Sequence, residues 1–182
     1  MVEEPAAATA DDAGARAAAA VDAGEVLRFA QALIAAPSEN PGGTEDLAAA
    51  VACELLDEQG ATPRIVRGDA GRPSVVARVG GRERPRLAWN GHLDVVPAGD
   101  PSTWERPPFA AEVVAGRLIG RGAADMKGAI ASAIAAAAAI RRSGVALGGT
   151  LEFHLAADEE LAGLHGTKVL WERGLLDQDA CV

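Results

Sequence analysis

Leu87-Ala88-Trp89-Asn90-Gly91-His92-Leu93-Asp94-Val95-Val96-Pro97 is an apolar, strand-like run that ends in an imidazole and a carboxylate two residues apart. Two other segments share that design. Asp125 follows the glycine-rich Gly120-Arg121-Gly122-Ala123-Ala124 and opens a long alanine-rich run. Thr150-Leu151-Glu152-Phe153-His154-Leu155-Ala156-Ala157-Asp158 ends in Glu159-Glu160. An α/β sheet presents its functional residues at such strand ends. One imidazole with several carboxylates is a borderline-to-hard donor set that suits zinc, cobalt or manganese.

The surrounding pattern predicts the rest of an α/β domain. Val26, Leu27, Phe29, Ala30, Leu33 and Ile34 recur at helical spacing until Pro37. Pro37 to Gly43 reads as a turn-rich loop. Thr44 is expected to cap a second helix that runs to Gln59, with Gly60 as its stop. Residues 62–66, 74–79 and 86–90 read as strands, 112–114 and 117–119 as a hairpin joined through Ala115-Gly116. Helices are predicted over 126–142 and 166–173, ended by Gly144 and Gly174. Residues 1–23, rich in Ala and Asp with little apolar periodicity, are expected to form a disordered or partly helical tail, and 24–182 the domain.

Composition narrows the partners. The chain has 182 residues, 49% of them hydrophobic and only 3% aromatic, so its core is built mainly from Ala, Val, Leu and Ile. A formal net charge of −9 argues against nucleic acid, because phosphate binding needs a basic patch. No run of Lys or Arg marks a membrane surface, and Gly128 to Ile140 is too short an apolar run to span a bilayer. Met1-Val2-Glu3-Glu4-Pro5 lacks the basic start of a secretory signal. Two cysteines, Cys53 and Cys181, make a poor disulfide framework, and a reducing, cytoplasmic location is expected.

Each candidate has a bland reading beside the functional one. In an extended segment residues i and i+2 share a side, so Asp94 is expected to reach the far ring nitrogen of His92 and fix its tautomer. Otherwise the pair is a surface turn before Pro97. Asp125 either caps the helix that follows or bridges two metal ions, a role suited to a pair about 3.5–4 Å apart. Three adjacent acids at a strand end repel one another if partly buried. In a solvated turn they cost little; beside a metal they are neutralised. Adjacent side chains diverge, so one acid can ligate while the other serves as general base. The glycine loop imitates a dinucleotide fingerprint in part, but Asp125 replaces the third glycine and the ribose-binding acid is missing. His154 reads as a structural histidine, His165 as a weak substrate-side candidate, and Trp89 and Trp104 as packing residues.

Together these segments resemble the three metal motifs of the co-catalytic di-zinc peptidases and amidohydrolases, the family of acetylornithine deacetylase, succinyl-diaminopimelate desuccinylase, aminoacylase and glutamate carboxypeptidase. Asn90 to Pro97 looks like the first motif and Gly120 to Gly128 like the second. Asp158-Glu159-Glu160 with Gly163 and Gly166 looks like the third, and Trp104 and Pro108-Phe109 also fit. The resemblance implies a three-layer α/β sandwich with a mixed central sheet and hydrolysis of the amide bond of an N-acyl amino acid or small peptide. It implies two zinc ions, with cobalt or manganese as substitutes. His92 would bind one metal, Glu160 the other, and Asp125 both. Asp94 would orient His92, Glu159 would act as general base, and the Asp125–Met126 peptide would be cis. The family uses two further ligands and a smaller domain that supplies dimer contacts and substrate-binding residues. None of these is evident before Val182; Asp177 and Asp179 look like the turn into the next strand. The chain is therefore expected to be the N-terminal part of a catalytic domain, inactive alone. The alternative is a non-catalytic, binding-only relative of the same fold.

Overall fold

A computed structural model describes residues 10–42 and 45–182. Its centre is a five-stranded mixed sheet in the order β1 (Arg64–Arg67), β2 (Pro73–Val79), β6 (Thr150–Ala156), β3 (Arg86–His92), β7 (Ala180–Cys181). β1, β2 and β6 pair antiparallel, whereas β3 runs parallel to both β6 and β7. A separate hairpin joins β4 (Glu112–Val114) to β5 (Arg117–Ile119). Its turn residues Ala115 and Gly116 both have positive φ, the geometry that matches strand twist.

Side-chain alternation sorts the sheet into two faces. Val75, Ala77, Phe153 and Leu155 point to one face and meet α2 (Ala23–Ile34), α3 (Asp46–Glu58) and α4 (Gly128–Ser143). Those helices supply Phe29, Leu33, Leu56, Ile130 and Ile134, all fully buried. Each such side chain contributes about 1.5–3 kcal/mol. On the opposite face Leu170 of α5 (Thr167–Glu172) packs on Val66 and Val76. Helix, sheet and helix give the expected three layers.

Local signals explain the helix ends. The Asp22 side chain accepts the Gly24 N–H and caps α2, and Gly144 ends α4 in the left-handed region. Glu45 occupies the cap position of α3 without a capping bond; the expected cap, Thr44, lies outside the described residues. Of the tail expected over 1–23 to be disordered or partly helical, residues 10–19 form α1 (Ala10–Ala19) against α4. Arg142 of α4 donates to the Ala20 carbonyl and pins the junction to α2. Residues 1–9 lie outside the described residues. The apolar run is also longer than the sequence pattern indicated. With the preceding turn, Ala123–Ser143 reaches 21 residues and is apolar enough to cross a membrane by length and composition. It is instead the central core helix, with Ile130, Ala131, Ile134, Ala135, Ala137, Ala138 and Ala139 buried.

Candidate metal centre

The parallel pairing of β3 with β6 sets His92 opposite Ala156, so both strands end at the same edge. Asp158 to Glu160 follow β6 there, and the turn Ala123–Lys127 delivers Asp125 to the same edge just before α4. Within that turn Asp125 and Met126 leave helical geometry, and the peptide between them is cis, as the resemblance implied. The His92 N–H donates to Met126 Sδ at 3.3 Å. Lys127 is fully buried and donates from Nζ to the Ala36 carbonyl at 2.6 Å, tying the start of α4 to the end of α2. Burial pulls the Lys127 ammonium down to about 8, against the stabilising Asp94 charge.

Donor atoms of His92, Asp125 and Glu160 lie within 4.8 Å of one another. His92 Nε2 is 3.0 Å from Asp125 Oδ1 and 3.8 Å from Glu159 Oε2. Burial disfavours the imidazolium, yet hydrogen bonds to Asp94 and Asp125 outweigh it and raise His92 to about 9. Burial pushes the Glu160 carboxyl up; the Asp125 and Asp94 charges add to that, against the pull of His92. An imidazole surrounded by mutually repelling carboxylates fits a divalent cation, which would relieve the repulsion. Beside it lies a cavity of about 190 Å³, lined by Val96, Gly120, Arg121, Gly122, Asp125 and Glu160. A larger apolar groove, about 270 Å³ beside Leu87, Ile140, Leu147 and Leu151, holds none of these residues.

Asp94 is fully buried and lies against the far ring nitrogen of His92, as expected. The far nitrogen of His92, Nδ1, lies 2.9 Å from the Asp94 backbone carbonyl and 3.5 Å from its carboxylate. The strand ends at His92 and the chain bends at Leu93, which brings the Asp94 carbonyl nearer to the ring than its carboxylate. The carboxylate also serves the neighbouring acid loop. Oδ1 accepts the Glu159 N–H and Oδ2 the Glu160 N–H, each at 3.1 Å. Oδ2 also accepts Asn40 Nδ2 at 2.7 Å. Burial pushes the Asp94 carboxyl up, but the bond with the His92 ring and then those from Asn40, Glu159 and Glu160 outweigh it and hold it below its ordinary range.

The three adjacent acids separate in space. Asp158 has a positive φ of 62°, tolerable for Asp, and turns inward to Arg72 at 2.9 Å. Its Oδ2 accepts the His165 N–H at 3.0 Å. Glu159 and Glu160 face the opening toward His92. Gly166 closes the loop, and a Cβ there would stand 1.7 Å from the Ala157 carbonyl oxygen.

Four residues of this site stood in segments read only as loops or a helix start: Ser38, Asn40, Glu45 and Arg72. Ser38 Oγ donates to the Leu93 carbonyl at 2.7 Å, and Asn40 exchanges backbone and side-chain bonds with the β3 end. Their one sequence signal is polar residues flanked by turn-forming prolines, which does not separate buried from solvated loops. Other candidates lie elsewhere. His154 is buried on the opposite face to Phe153, 3.3 Å from Glu152. Asp177 and Asp179 pair with Arg84 and Arg86 and lead into β7, far along the strand from His92. Trp89 packs on Phe153, and Arg121 stacks over Trp104 at 5.2 Å.

Known proteins share this chain's sequence and shape. Succinyl-diaminopimelate desuccinylase of Phenylobacterium zucineum is 48% identical over 100 residues, covering 55% of this chain and 26% of the relative. The enzyme of the same name from Rhodospirillum rubrum is 40% identical over 169 residues, covering 86% and 42%. The chain thus spans well under half the length of these relatives. An M20 family metallo-carboxypeptidase from Sulfolobus solfataricus superposes with a TM-score of 0.77 at 23% identity, covering 87% of this chain and 36% of that one. Human carnosine dipeptidase 1 gives 0.70 at 25% identity, covering 82% and 35%. The profile of Peptidase family M20/M25/M40 matches residues 88–182, which hold His92, Asp94, Asp125, Glu159 and Glu160, and the chain belongs to that family.

Proposed function

We propose that this chain supplies part of the active site of a zinc-dependent amidohydrolase or peptidase that cleaves the amide bond of an N-acyl amino acid or small peptide. The observation that carries the reading is the convergence of His92, Asp125 and Glu160 where β3, β6 and α4 meet. The desuccinylase relatives support a succinyl group as the acyl part. In this reading His92 and Glu160 would each hold one of two zinc ions, and Asp125, whose carboxylate is largely exposed at the mouth of the site, would serve both. Bound zinc polarises a carbonyl oxygen and makes water a nucleophile near neutral pH.

Glu159 is the general base: it takes the proton of the attacking water and returns it to the leaving amine. Its carboxylate faces the same opening as Asp125, while its backbone is fastened to Asp94. Asp94 holds His92 through its carbonyl and the acid loop through its carboxylate. Three of five expected ligands are supplied here, so the 182 residues alone are proposed to be inactive.

The test joins this chain to the part of the Rhodospirillum rubrum relative that follows the matched region. The joined protein and the 182-residue chain are assayed on N-succinyl-diaminopimelate and N-acetyl amino acids, with and without chelator. Chelator-sensitive hydrolysis is expected only from the joined protein. Glu159→Gln should keep the metal and lose about 10²–10⁴-fold in rate. An unchanged rate in Glu159→Gln, or turnover by the 182-residue chain, would overturn the assignment.

A further inference from the structure

Behind the acid loop lies a largely buried guanidinium that no motif accounts for. Arg72 stands just before β2, with its side chain 11% exposed. Its Nη1 donates to Asn40 Oδ1 and to Asp158 Oδ1, each at 2.9 Å, and its Nη2 pairs with Glu45 Oε1. Glu45, Asn40, Asp158 and Asp94 are all buried. Arg72 therefore bridges the start of α3, the loop after α2 and the acid loop in one fork.

The polarity of the Asn40 amide decides what this fork does. An amide has one accepting and one donating end. Arg72 has donors only, so it claims Oδ1 of Asn40. That turns Nδ2 toward two carboxylates, Asp94 Oδ2 at 2.7 Å and Asp158 Oδ1 at 3.2 Å. Reversed, the amide would set its oxygen against both carboxylates. Asp94, so oriented, receives the Glu159 and Glu160 N–H groups.

We propose that Arg72 is a positioning residue of this site, setting the place of the Glu159-Glu160 backbone relative to His92 through Asn40 and Asp94. The inference rests on the reading of those two acids as functional. A rival role is electrostatic only: Arg72 neutralises Glu45 and Asp158 and keeps the fold. Two variants separate the roles. Arg72→Lys keeps the charge but lacks the planar fork that reaches three partners. Glu45→Gln/Arg72→Gln removes the buried pair together, so no lone Glu45 charge remains to unfold the protein.

The measurements are amide hydrogen exchange by NMR on the metal-free chain, zinc titration and thermal melting. Exchange at Glu159 and Glu160 should quicken at least tenfold in both variants relative to Phe153 in the central strand β6. The zinc dissociation constant should rise at least tenfold. Wild-type exchange and zinc affinity in either folded variant, with only the melting temperature changed, would overturn the proposal. Failure of both variants to fold would also overturn it, since Arg72 would then serve the fold. A wild-type chain that binds no zinc would defeat the metal reading, while the exchange rates would still decide the role of Arg72.

Discussion

Replacing Asp94 by Asn swaps one oxygen for an NH₂ group and should destabilise the whole edge of the sheet. The Asp94 carboxylate accepts three hydrogen bonds, from Glu159 N–H, Glu160 N–H and Asn40 Nδ2. An amide has one accepting end. The less costly orientation places its NH₂ group against the Glu159 N–H and leaves two donors on the remaining oxygen. One charge-assisted bond is lost, worth about 1.5–3 kcal/mol, and two others fall to neutral strength, about 1 kcal/mol less each. Removing a buried charge returns part of its desolvation cost. The net loss should be about 2–4 kcal/mol, a large share of the ~5–15 kcal/mol typical of a domain. At this chain length that is a fall of roughly 4–16 °C in melting temperature. The assay is urea and thermal unfolding of the metal-free chain at neutral pH. An Asp94→Asn variant with an unchanged midpoint would show that the carboxylate does not fasten the acid loop, and the network would lose its hub.

Two further outcomes concern the two faces of the sheet. Phe153 is fully buried among α2, α3 and α4 and contacts Trp89, so Phe153→Ala should cost about 3–5 kcal/mol in chemical unfolding; a loss below 1 kcal/mol would contradict its place in the core. On the other face, burial holds the His154 imidazole below its ordinary pKa, outweighing the pull of Glu152. The unfolded chain then takes up that proton at a higher pH than the folded one, so this contribution is complete above about pH 6.5 and is lost as pH falls through the folded value. Stability of the wild type should fall more steeply than that of His154→Gln on acidification below pH 6.5, and parallel curves would refute the assignment.

What the sequence revealed and what it hid have separate physical causes. The hairpin through Ala115-Gly116 and the Gly144 stop follow from local periodicity and backbone preference and stand where the pattern placed them, while the central strands shift by one or two residues, β1 to Arg64–Arg67 and β3 on to His92. His92, Asp125 and Glu160 were legible because each closes or follows an apolar run, and the parallel pairing of β3 with β6 brings those ends together. Arg72, Asn40 and Glu45 were not legible. Their partners lie between 27 and 118 residues away, and nothing local distinguishes a buried arginine before a strand from a solvated one. Asp94 was legible as the partner of His92, 3.5 Å from its ring nitrogen, whereas its bonds to the acid loop were not, because they depend on the bend at Leu93 and on residues 65 and 66 positions away. The Ala-rich segment over residues 10–19 is helical and packs on α4, with Asp11 and Asp12 in its first turn and Arg16 in its last.

The most direct test of the central claim is cobalt(II) titration of the 182-residue chain, followed by visible absorption, alongside His92→Ala, Asp125→Ala and Glu160→Gln. Saturable binding by the wild type with ligand-field bands, competition by zinc, and at least a tenfold loss of affinity in each variant whose melting shows it folded are expected. Wild-type affinity retained in all three folded variants, or no saturable binding by the wild type, would contradict that claim.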